Sequence, residues 1–336
     1  MTPPRMGTNQ RKDENGARGR NASVPRQIPK SGWWDILLRV KDQISQDNVS
    51  IVAAGVAFYS ILALFPALAA TVSLYGLFTD SSDIQQQLSS LSSFLPQEAQ
   101  TLIQEQLTSI STSGGSALSF GAIAGLLFSI WSASKGMAAI ITSLNIAYNE
   151  EEKRSFIKVI GLALGLTLGG IIFVILTLFT ITLLPSVLEN LGFGQTMQTI
   201  LSLGRWPLLG IIVMGGLAVL YRYAPCRNKP QWLWVSWGSG IATMLWIVGS
   251  SAFALYANDY SSYNQTYGSL GAAVILLMWF WLTAFIVMLG AEINSEMERQ
   301  TRMDTTEGKP EPMGQREAYS ADTLGKIAPQ KASTNR

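Results

Sequence analysis

Six long apolar runs are the feature of this sequence that most restricts its fold. A helix rises about 1.5 Å per residue, so about 20 apolar residues cover the roughly 30 Å of hydrocarbon in a bilayer. The backbone must satisfy its own hydrogen bonds there, and the alternation typical of a β-barrel strand is absent. The sequence therefore predicts an all-α, polytopic membrane helical bundle of about six transmembrane helices. The expected spans cover about residues 49–78, 117–148, 156–184, 206–224, 232–256 and 270–293.

Composition supports a membrane protein independently of the runs. Hydrophobic residues make up 48% of the chain and charged residues 14%, and the mean hydropathy is +0.24. These values together are atypical of a soluble domain. The only cysteine is Cys226, so an intramolecular disulfide is excluded.

The distribution of positive charge predicts the orientation. The 24 Lys and Arg residues collect before the first span, before the third, after the fourth and after the sixth, and only Lys135 and Arg205 depart from this pattern. Positive residues are retained on the cytoplasmic side of a membrane. With an even number of crossings, both termini are expected in the cytoplasm of a bacterial cell, and the spans in its inner (plasma) membrane.

Outside the spans, the sequence divides into three further kinds of segment. Residues 1–31 and 301–336 are polar and are expected to be disordered cytoplasmic arms flanking a membrane domain over 32–300. The first 30 residues contain no apolar core of a signal peptide. The stretch "WWDILLRVKDQISQDN" predicts an amphipathic helix, lying either in the inner interface or beneath the first span. Residues 80–116 predict an outer amphipathic pair of helices interrupted at Pro96.

Polar groups inside the bilayer are costly, so they are the candidate path residues. Lys135 is the leading candidate. If the second helix begins near Ala117, Lys135 lies close to the inner interface and can extend its amine to water; if that helix continues to Tyr148, the lysine lies deep and could pair with Glu292. Arg222 is either a path residue or an inner-interface anchor. The remaining polar candidates are Asn145, Tyr267 and Asn294, of which Asn145 could equally hydrogen-bond across the bundle, and Tyr267 could belong to an interfacial aromatic belt.

Two backbone features complete the candidate set. Pro66 lies within the first span, where it predicts a kink or a break of the helix, either as a simple bend or as a place where backbone groups meet a substrate. Gly161, Gly165 and Gly169 form two successive GxxxG steps in the third span. This spacing predicts close helix packing, within the monomer or between subunits.

Several blocks in order resemble one family. The blocks are "AAGVAFYSILALFPAL", "SASKGMAAIITSLNIAYNEEEKRSF", "RWP", "LYRYAP" and "YGSLGAAVILLMWFWLTAFIVMLGAEIN". Together they resemble the BrkB/YihY-type family of bacterial inner-membrane proteins. The resemblance covers about residues 33–296 and implies a six-span protein suspected of transport. Some members of that family are described as contributing to serum resistance and adhesion. The family has also carried the older name ribonuclease BN.

The residues argue against an enzyme. The chain contains no histidine, "EEE" at 150–152 is typical of a solvated loop, and no Walker-type phosphate loop is present. No cofactor, catalytic residue or metal ligand is predicted, and nucleic acid is not expected as a partner. The expected partners are membrane lipid, a second copy of the chain and an unknown substrate. Two main hypotheses remain open: a transporter or transport-associated protein, and a non-transporting envelope scaffold linked to surface integrity or virulence. Ribonuclease activity is a remote third alternative.

Overall fold

The computed structural model describes residues 18–75, 120–180, 195–259 and 269–327. In these ranges the chain forms seven long helices and one short one, preceded by a 3-10 turn at Pro25–Gln27. The helices are α1 (Lys30–Gln46), α2 (Val49–Tyr75), α3 (Phe120–Ala147), α4 (Phe156–Leu178), α5 (Gln195–Tyr223), α6 (Trp232–Asp259), α7 (Ser269–Glu298) and α8 (Tyr319–Asp322). The predicted outer segment 80–116 and Tyr267 lie outside the described residues.

The helical membrane bundle expected from the sequence is confirmed. Five helices contain a segment long and apolar enough to cross a membrane, at Val49–Ala67, Ile123–Ala147, Phe156–Thr177, Trp232–Tyr256 and Ala273–Glu298. The apolar part of α5, Pro207–Tyr223, is shorter. In the described part of the chain, β structure is limited to one isolated bridge between Pro230 and Thr306.

Helix α7 lies at the centre of the bundle and packs against α1, α2, α3 and α6. Further neighbours include α2 with α3, α2 with α4, α3 with α4, α4 with α5, and α5 with α6. Among the described residues, a large buried cluster joins α3, α4, α5, α6 and α7 through side chains such as Leu144, Tyr148, Tyr221, Val235 and Ile286. Apolar contact within the bundle therefore concentrates near one end of these helices.

Glycines allow close helix contacts, but not at the positions that the sequence suggested. Gly161, Gly165 and Gly169 lie on the exposed face of α4, and a methyl group added at any of them would meet no atom within 4 Å. The expected packing at these glycines within the monomer is therefore wrong, because α4 turns Ala163 and Thr167 inward instead. Packing between subunits stays a prediction.

Helices α3, α5, α6 and α7 each have one end in the same polar layer, here called the polar end. Three contacts show this arrangement: the side chain of Asn145 accepts a hydrogen bond from the backbone N–H of Cys226, Arg227 pairs with Glu298, and the backbone N–H of Gln231 bonds to Thr305. Residues 18–29 and 299–327 also lie there. The structure thus places the described parts of both terminal segments at one end of the bundle.

The expectation of disordered arms fails for residues 18–31 and 301–327. Arg20 is buried and its guanidinium donates to the carbonyl oxygens of Arg299, Gln300 and Gly325. Arg316 is buried as well and holds the tail through several backbone carbonyls. Polar composition suggested disorder. In the structure each of these arginines donates hydrogen bonds to several backbone carbonyl oxygens, and such long-range pairing leaves no pattern in the sequence.

Candidate functional site

The uninterrupted helix α3 fixes the position of Lys135 along the helix. The apolar segment Ile123–Ala147 is continuous, and Lys135 lies at its midpoint, roughly 18 Å along the axis from Ala147 at about 1.5 Å per residue. Of the two helix lengths that the sequence left open, the structure has the longer one, and the depth of the lysine in the membrane stays a prediction.

Lys135 lies on the outward face of the bundle. It is exposed, as are Leu127, Phe128 and Trp131 on the same side of α3, and its amine lies 4.8 Å from the centre of the Trp131 indole ring. A cation over an indole face gains roughly 0.5–2 kcal/mol. That contact would offset only part of the cost of holding an ammonium group at the centre of a membrane.

Lys135 and Glu292 do not pair. Glu292 is completely buried, whereas Lys135 is exposed, and no ion pair joins them within the described ranges. The lysine and the glutamate are therefore separate features of the bundle.

Pro66 does not break its helix, since α2 continues from Val49 to Tyr75. Proline has no backbone N–H, so the carbonyl of Leu62 loses its usual partner one turn earlier. Near this point α2 and α3 approach closely: a methyl group added at Gly136 would lie 2.9 Å from the Cβ of Ala63. Of the kink or break expected at Pro66, the break is wrong, because the helix is continuous beside a tight crossing, and the kink stays a prediction.

A buried ion pair lies at the polar end. Arg227 and Glu298 both have fully buried side chains and meet through two hydrogen bonds of 2.6 and 3.0 Å. The arginine also lies over the ring of Tyr148, 5.1 Å from its centre, and Thr305 donates to the carboxylate. Burial opposes the charge on Arg227, but Glu298 outweighs it and raises the pKa of the guanidinium.

Asn145 connects two loops at the polar end. Its amide donates to Glu152 at 3.0 Å and accepts from the backbone N–H of Cys226 at 2.7 Å. Glu152 in turn binds Arg154, whose hydrogen bond lowers the pKa of that carboxyl to about 2. This arrangement fixes the loop between α3 and α4, so the cross-bundle role suggested for Asn145 takes the form of a loop contact.

Arg222 is buried and ties α5 to the C-terminal segment. Its guanidinium donates to the backbone oxygen of Pro230 and to Glu307, the latter at 2.7 Å, and lies 4.5 Å from the ring centre of Trp232. Asn294 has a comparable packing contact, because its side-chain oxygen accepts the backbone N–H of Gly238 at 2.9 Å. Both residues contribute to packing of the bundle in the described chain.

Glu292 differs from all of these groups. It is 0% exposed, and neither carboxylate oxygen has a hydrogen-bond partner in the described ranges. The carboxyl group of Asp47, at the junction of α1 and α2, lies within hydrogen-bonding reach of Glu292. Sequence reasoning identified Glu292 but missed Asp47, Arg227 and Glu298, because long-range pairing leaves no local spacing signal.

A cavity of about 850 Å³ opens at the polar end between the α3–α4 loop, the α5–α6 loop and the segment around α8. Its wall carries both signs of charge, including Lys153, Lys229, Glu151 and Asp322. The backbone N–H of Tyr319 donates to Glu150 across this region at 2.7 Å. Among the described residues, no group of three His, Cys, Asp or Glu side chains is placed to hold a metal ion.

Similarity to known proteins fits this architecture. The model of the family "Virulence factor BrkB" matches residues 40–316. The chain belongs to the BrkB family. The resemblance stated from the sequence blocks is thereby confirmed, and the match spans α2 to α7 together with most of the folded C-terminal segment.

Curated relatives of this BrkB-family chain cover most of its length. "Putative ribonuclease-like protein YfkH" of Bacillus subtilis is 33% identical over 261 residues, which are 75% of this chain and 90% of that protein. A "UPF0761 membrane protein" of Photobacterium profundum is 28% identical over 278 residues, covering 80% and 82% of the two chains. Another of that name, from Psychromonas ingrahamii, is 25% identical over 269 residues, covering 79% and 88%. No solved structure matches significantly.

Proposed function

We propose that this membrane protein is a transporter or a transport-associated protein whose water-accessible path passes Lys135. The supporting observation is the position of this lysine at the midpoint of an unbroken apolar helix segment. A lysine at the centre of a membrane helix costs about 2.5–3.5 kcal/mol on insertion scales. A path that brings water or an anionic substrate to the amine would remove that cost.

Snorkelling to the membrane surface is the competing explanation, and the length of the side chain disfavours it. The distance from Lys135 to Ala147 corresponds to more than three helical turns of about 5.4 Å each. The four-carbon stem of lysine is shorter than two turns. Because Lys135 lies on an exposed face of α3, its contact with water needs either a deep local distortion of the bilayer or a path formed between this face and another protein surface, such as a second copy of the chain.

The proposal includes the orientation of the chain. Segments that carry Lys and Arg at 149–158 and 222–229 share the polar end with residues 18–29 and 299–327. By the positive-inside rule this end faces the cytoplasm, and the membrane is the bacterial inner membrane. We propose no catalytic role, since the residues that a nuclease commonly uses include histidine and this chain has none.

Site-directed labelling tests the path. Cys226→Ser provides a cysteine-free background, and Lys135→Cys is then exposed to a membrane-impermeant thiol reagent added from each side in turn. We expect labelling from both sides. Phe128→Cys is the matched control, because Phe128 is 66% exposed on the same face, two turns away, and carries no charge that needs water.

The possible outcomes separate the hypotheses. Equal lack of labelling at positions 135 and 128 would mean that the face is covered by lipid or protein, and the non-transporting scaffold would then be the better description. Labelling of position 135 from the polar end alone would place the lysine in an inner vestibule without a through path, and would also contradict the proposal. Labelling from both sides would justify a substrate search in proteoliposomes.

A further inference from the structure

The starting observation is a buried carboxyl group with no visible counterpart. Glu292 of α7 is completely enclosed, and both of its oxygens lack a hydrogen-bond partner in the described residues. One oxygen of Asp47, Oδ2, is likewise buried without a partner, and the two carboxyl groups lie within hydrogen-bonding reach of each other. Two carboxylates offer only acceptors, so no hydrogen bond can form between them until one carries a proton.

Neighbouring cations do not neutralise this pair. Glu296, one turn beyond Glu292, binds Arg39 through one oxygen and Arg299 through the other. Arg39 also donates to the backbone oxygen of Glu296 and to the side chain of Gln300, at 3.0 and 2.9 Å. Both arginines therefore pair with Glu296. The carboxyl groups of Asp47 and Glu292 are left without a counterion from them.

We propose that Asp47 and Glu292 form a proton-binding site in which one proton is shared between the two carboxyl groups. An isolated buried carboxylate pays a large desolvation penalty, and two carboxylates in contact add mutual repulsion. One proton removes both costs, because it lowers the charge by one and supplies the missing donor. The aspartic dyads of other proteins hold a proton for the same physical reason.

Among the described residues, the titratable groups that face this pair include Glu296 and Arg299 on α7 and the hydroxyl of Tyr148 just after α3, which is itself buried without a hydrogen-bond partner in the described chain. Burial raises the pKa of Asp47, and Glu296 acts in the same direction, whereas the hydrogen bond with Glu292 and the charge of Arg299 lower it. The net effect is a raised pKa of Asp47, which favours a proton on the pair.

The site lies where the short turn between α1 and α2 meets the central helix α7. Asp47 closes α1 with a hydrogen bond from its backbone N–H to Gln43, and Asn48 follows with a positive φ of 48° before α2 begins. A shared proton holds this turn against α7. Loss of the proton would make the carboxyl groups repel, so the α1–α2 turn would move away from the central helix.

Infrared spectroscopy of the purified full chain tests the assignment, because a protonated carboxylic acid has a carbonyl band that an ionised carboxylate lacks. At neutral pH, the spectrum of the wild type minus that of Glu292→Gln is expected to contain this acid band. The band should disappear as the pH is raised, with carboxylate bands appearing in its place. Glu311→Gln is the matched control, since Glu311 is exposed and its difference spectrum should contain carboxylate bands only.

A second variant keeps the test decisive if Glu292→Gln does not fold. In Asp47→Asn the repulsion is gone and the amide can donate to Glu292, so the acid band of the remaining carboxyl should be lost at lower pH than in the wild type. Difference spectra with carboxylate bands alone at neutral pH would overturn the proposal. So would an unchanged transition in Asp47→Asn, or an acid band that disappears when sodium is added at constant pH, which would make sodium the resident ion.

The assignment is independent of transport. Absence of thiol labelling at position 135 would reject the proposed path without bearing on the proton site. Conversely, an ionised pair in the infrared spectrum would reject the proton site whatever the labelling result.

Discussion

Substitution of Gly290 by alanine gives a quantitative test of how the central helix packs. Gly290 is buried on α7, and a methyl group there would lie 2.7 Å from the Cβ of Ala242 and 3.1 Å from the Cζ of Tyr221, with the Tyr221 hydroxyl closer still. Ala242 cannot move without its helix. Tyr221 is held by a 2.9 Å hydrogen bond from its hydroxyl to the backbone oxygen of Val287.

Three contributions set the magnitude. Overpacking of a tight core costs about 1–3 kcal/mol. Displacement of the Tyr221 hydroxyl from its acceptor costs about 0.5–1.5 kcal/mol more. Alanine returns at most about 1 kcal/mol through its higher helix propensity. The free energy of unfolding should therefore fall by roughly 1–3 kcal/mol in Gly290→Ala.

The assay is unfolding of purified protein in detergent, followed by circular dichroism as denaturing detergent is added. Gly165→Ala is the matched control, because it also places a methyl group on a helix but meets no atom within 4 Å. The control should unfold at the same concentration as the wild type or slightly higher. Gly290→Ala with a stability equal to that of Gly165→Ala would refute the close contact of α7 with α5 and α6.

Two further predictions concern the polar end. Arg227→Met should lower the free energy of unfolding by about 3–5 kcal/mol, because it leaves Glu298 buried without its counterion. Lys153→Met, at an exposed site, should have little effect. Denaturation of both variants in detergent compares them with the wild type. Acid should weaken the α3–α4 loop. Because the hydrogen bond from Arg154 lowers the pKa of Glu152 from 4.5 to about 2, its stabilisation is complete above about pH 4.5 and is lost as the pH falls toward 2. Stability measured across this interval should fall less steeply in Arg154→Met, and parallel slopes would contradict the pairing.

The sequence predicted the bundle well and the polar contacts poorly. Apolar length and helical propensity act locally, so the helices beginning at Val49, Phe156 and Trp232 were recognisable without any tertiary information. Glu292 could be singled out because a carboxyl group within an apolar run is rare. Its neighbour Asp47 could not, since it lies in a polar stretch more than 200 residues earlier, where a carboxyl group is ordinary.

The glycines illustrate the same division. The GxxxG spacing around Gly165 is a local pattern, but which face of a helix turns inward depends on its neighbours, and the structure turns that face outward. Close contact occurs instead at Gly136 and Gly290, which belong to no such repeat. Spacing alone therefore could not say which glycines touch another helix.

By itself, the sequence determined that this is a helical membrane protein of the BrkB family. Inside hydrocarbon the backbone must satisfy its own hydrogen bonds, as a helix does, and the apolar runs long enough to span a membrane can be read directly from the sequence. Tertiary structure decided the rest. It placed Lys135 at mid-segment by keeping α3 unbroken, and folded the segments at 18–31 and 301–327 onto the polar end. It also brought Asp47 to Glu292. Electrostatic pairing acts across space between residues far apart in the chain, so only the fold can reveal it.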